Sequence, residues 1–360
     1  MAAADTERRD ALVERLFQAV LGFNDLLAVY MGDRLGLYAA LAGGAATPAE
    51  VAAATGCDER YVREWLEHQA VGDVLEVEDV SAEPGDRRYR IPPGHAEVLL
   101  DRDSVNYMAA FARMTVGTVE PLPQVLAAFR SGEGVPYSAY PADFLEGQGE
   151  MNRTQYINLL ASEWLPALPD VEERLRSGSA RVADVACGTG WSSISIARAY
   201  PGVHVDGFDL DPESIMLARS AVAAEGLGER VDFQVRDAAD PALAHRYDLV
   251  TVFEAIHDLA KPVEALAAIR DLLADGGVAL VADEKVADVF TAPGDDVERV
   301  MYGWSILHCL PVGRVEQPSA ETGTAMREST FRRYAEEAGF SEVSVVPIAH
   351  DFWRFYRLAP

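Results

Sequence analysis

The sequence predicts an α/β chain built on a mostly parallel sheet, preceded by an all-α segment that ends in a small two-stranded wing. Three observations carry the prediction. Residues 181–193 run from an apolar strand through Cys187-Gly188-Thr189-Gly190 straight into a helical pattern. Short apolar runs then recur at 204–211, 231–238, 246–253 and 278–282, separated by helix-length stretches, which is the alternation of a parallel sheet. Upstream, residues 47–91 read as helix, turn, helix and two short strands.

In chain order, residues 9–42 place Leu12, Leu16, Val20 and Phe23 at steps of three and four, the spacing of one helix face, until Gly43-Gly44 stops the pattern. Thr47-Pro48-Ala49-Glu50 is a helix start: a threonine cap, a proline where no N–H is needed, and a glutamate placed to close a capping box. That helix runs to Thr55, and Gly56 breaks it. Asp58 caps the next helix, whose apolar face is Tyr61, Val62, Trp65 and Leu66. Residues 74–77 and 89–91 flank a turn-rich stretch and complete a winged helix.

A winged helix raises the possibility of DNA binding, and charge argues against it. Residues 1–100 hold 9 Arg and no Lys against 18 Asp plus Glu, and the second helix sets Arg60 and Arg63 beside Glu59, Glu64 and Glu67. A DNA-binding face needs a basic footprint for phosphates. The formal net charge of −27 also opposes attraction to nucleic acid or an anionic membrane. Neither is expected as a partner. The 360 residues suffice for two domains and a sizeable core, and 49% hydrophobic with 25% charged residues is ordinary globular composition. Cys57, Cys187 and Cys309 show no metal-ligand spacing and suggest a reducing compartment. The first residues lack a signal-peptide apolar stretch and no apolar run is long enough to span a bilayer, so a cytoplasmic location is expected.

Residues 105–130 read as a helix, 131–149 as a loop rich in Gly, Pro and Tyr, and 151–165 as a further helix. Tyr107, Phe111, Met114, Tyr137, Tyr140 and Phe144 either line a pocket for a flat apolar substrate or pack as core. The expected division is a winged-helix domain at 1–100, a helical connector at 101–176 and a ligand-binding domain at 177–360.

The turn at 187–190 closes the strand Val182, Ala183, Val185, Ala186. Gly188 and Gly190 have no Cβ, so the backbone bends sharply and a ligand can approach it. Ser192 and Ser193 supply hydroxyls in the first turn of the helix, where free N–H groups face the turn. A dinucleotide fingerprint needs a third glycine where Ser193 stands, and Asp184 within the strand suits a cation better than a pyrophosphate. Asp209 lies 19 positions after Gly190, where an acid reaches ribose hydroxyls. Asp211 is the second choice and reads equally as a helix cap before Pro212. The third strand leads into Asp237-Ala238, and the fourth into Glu254-Ala255-Ile256-His257-Asp258. Ligands of open α/β sheets bind at such carboxyl ends.

Residues 181–193 resemble motif I of the class I S-adenosyl-L-methionine (SAM) methyltransferases, and the resemblance covers 181–285 well and the rest loosely. It implies a Rossmann-like, seven-stranded sheet, SAM as cofactor, and methyl transfer to a small molecule, a hydroxyl of an aromatic or polyketide-like metabolite. It also implies that Gly188 and Gly190 lie against the methionine part of SAM, that Asp184 organises its amino group and that Asp209 holds the ribose, with Leu210 beside it. Asp237 and the backbone of Ala238 match the adenine-binding positions, and Glu254 lies at the mouth of the site. Ile256-His257-Asp258-Leu259 resembles the catalytic His-Asp segment of plant-type small-molecule O-methyltransferases, although Leu259 stands where that family has Trp. The resemblance makes His257 the general base, with Asp258 beside it. A phenol has a pKa of about 10, so a base titrating near neutrality is useful. The residues alone leave His257 open between a base and a satisfied loop histidine, and Asp258 open between catalysis and capping of a helix at 260–274. His308 is the rival base; it lies on 287–326, where Met301, Trp304, Ile306 and Leu307 suggest an amphipathic lid helix. A last helix at 328–339 and an antiparallel pair at 343–348 and 352–358 complete the sheet. Similar winged-helix domains dimerise, so a homodimer is expected. The alternatives are a regulator that keeps the SAM fold without turnover and a NAD-dependent oxidoreductase.

Overall fold

The computed structural model describes residues 3–360 in two units, Met1–Gly117 with Glu146–Thr154, and Thr118–Leu145 with Gln155–Pro360. The segment 101–176, read from the sequence as a connector, is shared between them.

In the first unit, helix α1 (Ala3–Arg34) ends where Gly36 turns left-handed at φ 69°, and α2 (Leu37–Leu41) follows. The single helix expected over 9–42 is therefore two. Helix α3 (Pro48–Thr55) has the full capping box: Thr47 Oγ1 accepts from the Glu50 N–H, and the Thr47 N–H donates to Glu50 Oε2 at 2.8 Å. Asp58 caps α4 (Glu59–Val71) by accepting from the N–H groups of Arg60 and Tyr61. The wing strands β1 (Glu76–Val77) and β2 (Tyr89–Arg90) pair antiparallel. Tyr38, Leu41, Val51, Val62, Trp65 and Leu66 form the core. A Cβ on Gly32 would lie 2.5 Å from the Trp65 ring and overlap Tyr38, so glycine lets α1 settle onto that core. Two sequence expectations change here. Tyr61 is exposed rather than on the buried face of α4, and Leu12, Val13, Leu16, Phe17 and Val20 of α1 are 46–62% exposed.

The helix expected over 105–130 is interrupted before Pro121, giving Ala109–Gly117 and Leu122–Ser131. The stretch 131–149, read as loop, contains the start of a helix, Ala142–Gln155, which continues as a π-helical segment, Tyr156–Trp164.

The second unit is organised by a seven-stranded sheet. Its strands are β3 (Arg181–Val185), β4 (His204–Asp209), β5 (Val231–Val235), β6 (Tyr247–Phe253), β7 (Leu273–Glu284), β8 (Glu342–Val346) and β9 (Trp353–Ala359). Their order is β5-β4-β3-β6-β7-β9-β8; the first five in that order run parallel, and β9 is antiparallel to both neighbours. Both faces are covered, which explains the unbroken burial of Leu249 to Val252 in β6. One face packs Leu160, Trp164, Ile194, Ile196 and Phe233; the other packs Leu266, Ile269, Phe331 and Tyr356. From β3 the chain passes first to β4 on one side and later to β6 on the other. The crevice at that reversal opens at the carboxyl ends, where the glycine turn lies.

Candidate functional site at the carboxyl ends of the strands

The turn after β3 is bent by three left-handed residues: Ala186, Gly188 and Gly190, at φ 54°, 52° and 82°. The two glycines are required for different reasons. A Cβ on Gly190 would lie 2.9 Å from the Ala218 Cβ and overlap the Phe233 ring. A Cβ on Gly188 would meet nothing within 4 Å, so only its backbone conformation calls for glycine.

Asp184 holds this turn from beneath. Ser192 and Ser193 donate to its Oδ2 at 2.5 and 2.7 Å, and Thr251 donates to its Oδ1 at 2.7 Å. Burial raises its pKa, and the three hydroxyls partly offset that rise. The sequence reading had Asp184 organise the amino group of SAM. In the structure the carboxylate is 1% exposed and accepts from hydroxyls of the fold, so it clamps the helix Trp191–Ala199 to β3 and β6.

Asp209 ends β4 with its carboxylate beside the turn. Its Oδ2 accepts from the Gly188 N–H at 2.9 Å, and its Oδ1 from the Asp211 N–H at 2.9 Å. Each oxygen keeps a second lone pair for another donor. Burial raises the Asp209 pKa against those two N–H bonds. Asp211 accepts from the Ser214 N–H at 2.8 Å and is the cap of the helix Pro212–Ala224. Leu210, between them, exposes its side chain. Asp237 is exposed and accepts from the Ala239 N–H at 2.9 Å, forming a turn that leaves its other oxygen available, while Ala238 packs partly against the core. Glu254 lies just beyond β6. It is left-handed at φ 52°, and its Oε1 accepts from the Trp353 indole at 2.7 Å, which ties the end of β6 to β9.

His257 lies on a 3-10 turn, Ile256–Asp258, just beyond β6. Its Nδ1 is 2.6 Å from Asp283 Oδ1 at the end of β7, and its Nε2 is 2.9 Å from Asp258 Oδ1. Burial alone would lower its pKa; the charges of Asp258 and Asp283 reverse that and raise it well above the usual value. Both ring nitrogens are therefore set against carboxylates, one from the end of β7 and one from its own turn. Asp258 is held below the usual carboxylate range, because the His257 charge outweighs its burial. It does not serve as a cap of the helix Pro262–Leu272.

His308, the rival, lies on a π-helical turn, Ser305–Cys309, and is fully enclosed. The rings of Phe144, Tyr140 and Tyr137 surround it at 4.4, 4.6 and 5.7 Å between centroids. Burial lowers its pKa to about 4, so it is neutral, and its Nε2 has no hydrogen-bond partner. Of the six aromatic-pocket candidates, Tyr137, Tyr140 and Phe144 are gathered here, whereas Tyr107, Phe111 and Met114 belong to the other unit. Three residues were missed from sequence: Asp283, Glu284 and Cys309. Asp283-Glu284 at the carboxyl end of a parallel strand was the available signal. Ligand atoms of His257, Asp258 and Cys309 lie within 4.8 Å of one another.

Comparisons with known proteins agree with this architecture. Residues 182–277 match the model of a methyltransferase domain, and residues 25–101 that of an Rv2258c-like winged HTH domain. A ubiquinone biosynthesis O-methyltransferase from Xanthomonas axonopodis pv. citri is 30% identical over 151 residues, which is 41% of this chain and 59% of that enzyme. The human N-acetylserotonin methyltransferase, solved with SAM, superposes with a TM-score of 0.66 at 20% identity, covering 97% of each chain. An O-methyltransferase family protein from Burkholderia thailandensis gives a TM-score of 0.69 at 16% identity over 96% of this chain and 97% of that one. A winged helix-turn-helix domain followed by a methyltransferase domain of the class I fold is therefore what this chain carries.

Proposed function

We propose that the protein transfers the methyl group of SAM to a small-molecule acceptor, an oxygen of an aromatic or polyketide-like metabolite. The observation that carries this reading is the pairing of Asp209 with Gly188 at the reversal of the sheet. A cofactor with a ribose diol needs two acceptor lone pairs beside uncrowded backbone. Asp209 supplies the first and Gly188 the second, so the residues present fit SAM. When bound, SAM supplies a methyl group activated by its sulfonium.

The protein's own part is positional. Asp184 fixes the turn, Asp209 orients the ribose, and Leu210, Asp237 and Ala238 flank the adenine side. Holding nucleophile, methyl carbon and sulfur in line converts a bimolecular step into an intramolecular one. The enclosure of Tyr137, Tyr140 and Phe144 supports an apolar, flat acceptor. Three unpaired cysteines fit the reducing compartment read from the sequence. We further propose that two copies associate through the apolar face of α1, whose large side chains the chain itself leaves exposed.

Calorimetry with S-adenosylhomocysteine, followed by methyl transfer assayed on a panel of phenols, tests the reading. Uptake of the cofactor product with turnover on a phenol is the expected result. Failure to bind it at millimolar concentration would end the proposal.

A further inference from the structure

We infer that His257, Asp258 and Cys309 form a site for one divalent transition metal of the zinc type, with a fourth position left for an oxygen of the acceptor. The ligand set is one imidazole nitrogen, one carboxylate oxygen and one thiol sulfur, all within 4.8 Å of one another. A tetrahedral zinc with bonds of about 2.0–2.3 Å holds its ligand atoms about 3.5 Å apart, so the cluster needs only small side-chain adjustments to close on a metal.

Three further observations point the same way. Asp283 stands 2.6 Å from the His257 Nδ1, the outer carboxylate that orients a metal-binding imidazole, and this leaves Nε2 turned towards Asp258. Asp283 Oδ2, on the carboxylate that faces Nδ1, has no hydrogen-bond partner, and neither does His308 Nε2. Unsatisfied buried polar atoms are costly, and each calls for a missing partner. Two carboxylates, Asp258 and Asp283, also stand against one buried imidazole, and a dication offsets that surplus of negative charge. The donors set the class of metal: thiolate with imidazole favours zinc or iron over magnesium or calcium.

Such an ion acts on the acceptor's own hydroxyl. An acceptor hydroxyl on the fourth position becomes more acidic and releases its proton to water. Methyl transfer then forms the O–C bond, breaks the S–C bond and leaves the electron pair on sulfur; the metal exchanges no electron. This last step rests on the methyl-transfer reading, whereas metal binding does not.

The test uses the full chain. Metal content is measured by mass spectrometry after purification without chelator, and the chelator-stripped protein is titrated with Co²⁺ and followed by absorption. About one zinc or iron per chain is expected, and one equivalent of Co²⁺ should give a thiolate-to-cobalt charge-transfer band. Cys309→Ser should lose that band while still binding Co²⁺, and Asp283→Asn should weaken metal affinity roughly 10–100-fold. S-adenosylhomocysteine calorimetry on the same samples separates the two readings. Wild-type protein that binds the cofactor product but takes up no stoichiometric metal would overturn the metal site and leave methyl transfer standing. Metal uptake without cofactor binding would do the reverse.

Discussion

The Gly188 N–H donates to Asp209 Oδ2 at 2.9 Å, so the turn after β3 and the end of β4 act as one element. The bond also sets the direction in which the remaining lone pairs of Asp209 point. Removing that carboxylate takes away both the proposed ribose acceptor and the tether of the turn. Hydrogen bonds to a charged group contribute about 1.5–3 kcal/mol each, so Asp209→Ala should weaken S-adenosylhomocysteine binding on the order of 10–100-fold. Asp237→Ala should cost less than about tenfold, because Asp237 is exposed and water satisfies part of its role. Calorimetry on both variants compares them. Equal losses would remove Asp209 from its central place.

Asp184 gives a prediction about stability rather than affinity. Its two oxygens serve Ser192, Ser193 and Thr251, all buried. Asp184→Ala strands the Ser192 and Ser193 hydroxyls and leaves Thr251 only the Ala183 carbonyl at 3.4 Å; at about 1–3 kcal/mol for each unsatisfied group, a loss of about 2 kcal/mol or more is expected. Asp184→Asn keeps one acceptor oxygen and should lose less. Urea unfolding monitored by tryptophan fluorescence gives the order; an alanine variant as stable as the parent would show that the clamp contributes nothing.

How far the sequence foretells these features depends on chain distance. The glycine turn, the four strands that follow it and the Thr47–Glu50 capping box are local patterns, and the structure reproduces them. The partners of His257 are not local. Asp283 is brought to it by the parallel pairing of β6 with β7, in which Phe253 faces Ala282, and no spacing rule joins residues 257 and 283. Glu254 and Trp353 meet through β9 in the same way. Cys309 shows no metal-ligand spacing in the sequence because its neighbours in space, His257 and Asp258, come from a different segment. The stretch 131–149 was misread for another reason. Its Gly147 belongs to a helix: a Cβ there would lie 2.5 Å from the Met114 backbone nitrogen, so that glycine serves helix packing.

The two glycines of the turn should respond differently to the same substitution. Gly188→Ala meets no atom and costs only the left-handed backbone, about 1–2 kcal/mol. Gly190→Ala has that cost as well, and its Cβ also enters the Phe233 ring. Overpacking of this kind adds about 1–3 kcal/mol. Gly190→Ala should therefore unfold at a clearly lower denaturant concentration than Gly188→Ala. The opposite order would show that the packing of Gly190 against Phe233 is not what fixes the turn.

Helix α1 shows a periodic apolar face that its own chain does not cover. Leu12, Val13, Leu16, Phe17 and Val20 are 46–62% exposed, a contiguous run along one helix. Periodicity announced the face but not its partner, because burial by a second copy leaves the same 3.6-residue signature as burial by the same chain. Fully burying one such side chain stabilises by about 1.5–3 kcal/mol, and a carboxylate in its place costs more than that to desolvate. The double variant Leu16→Glu with Phe17→Glu should therefore sediment as a monomer where the parent sediments as a dimer. Its S-adenosylhomocysteine affinity should be unchanged, since Asp209 and the glycine turn belong to the other unit. Analytical ultracentrifugation of both proteins decides the matter: a parent that is monomeric at micromolar concentration would show that this face serves some other purpose.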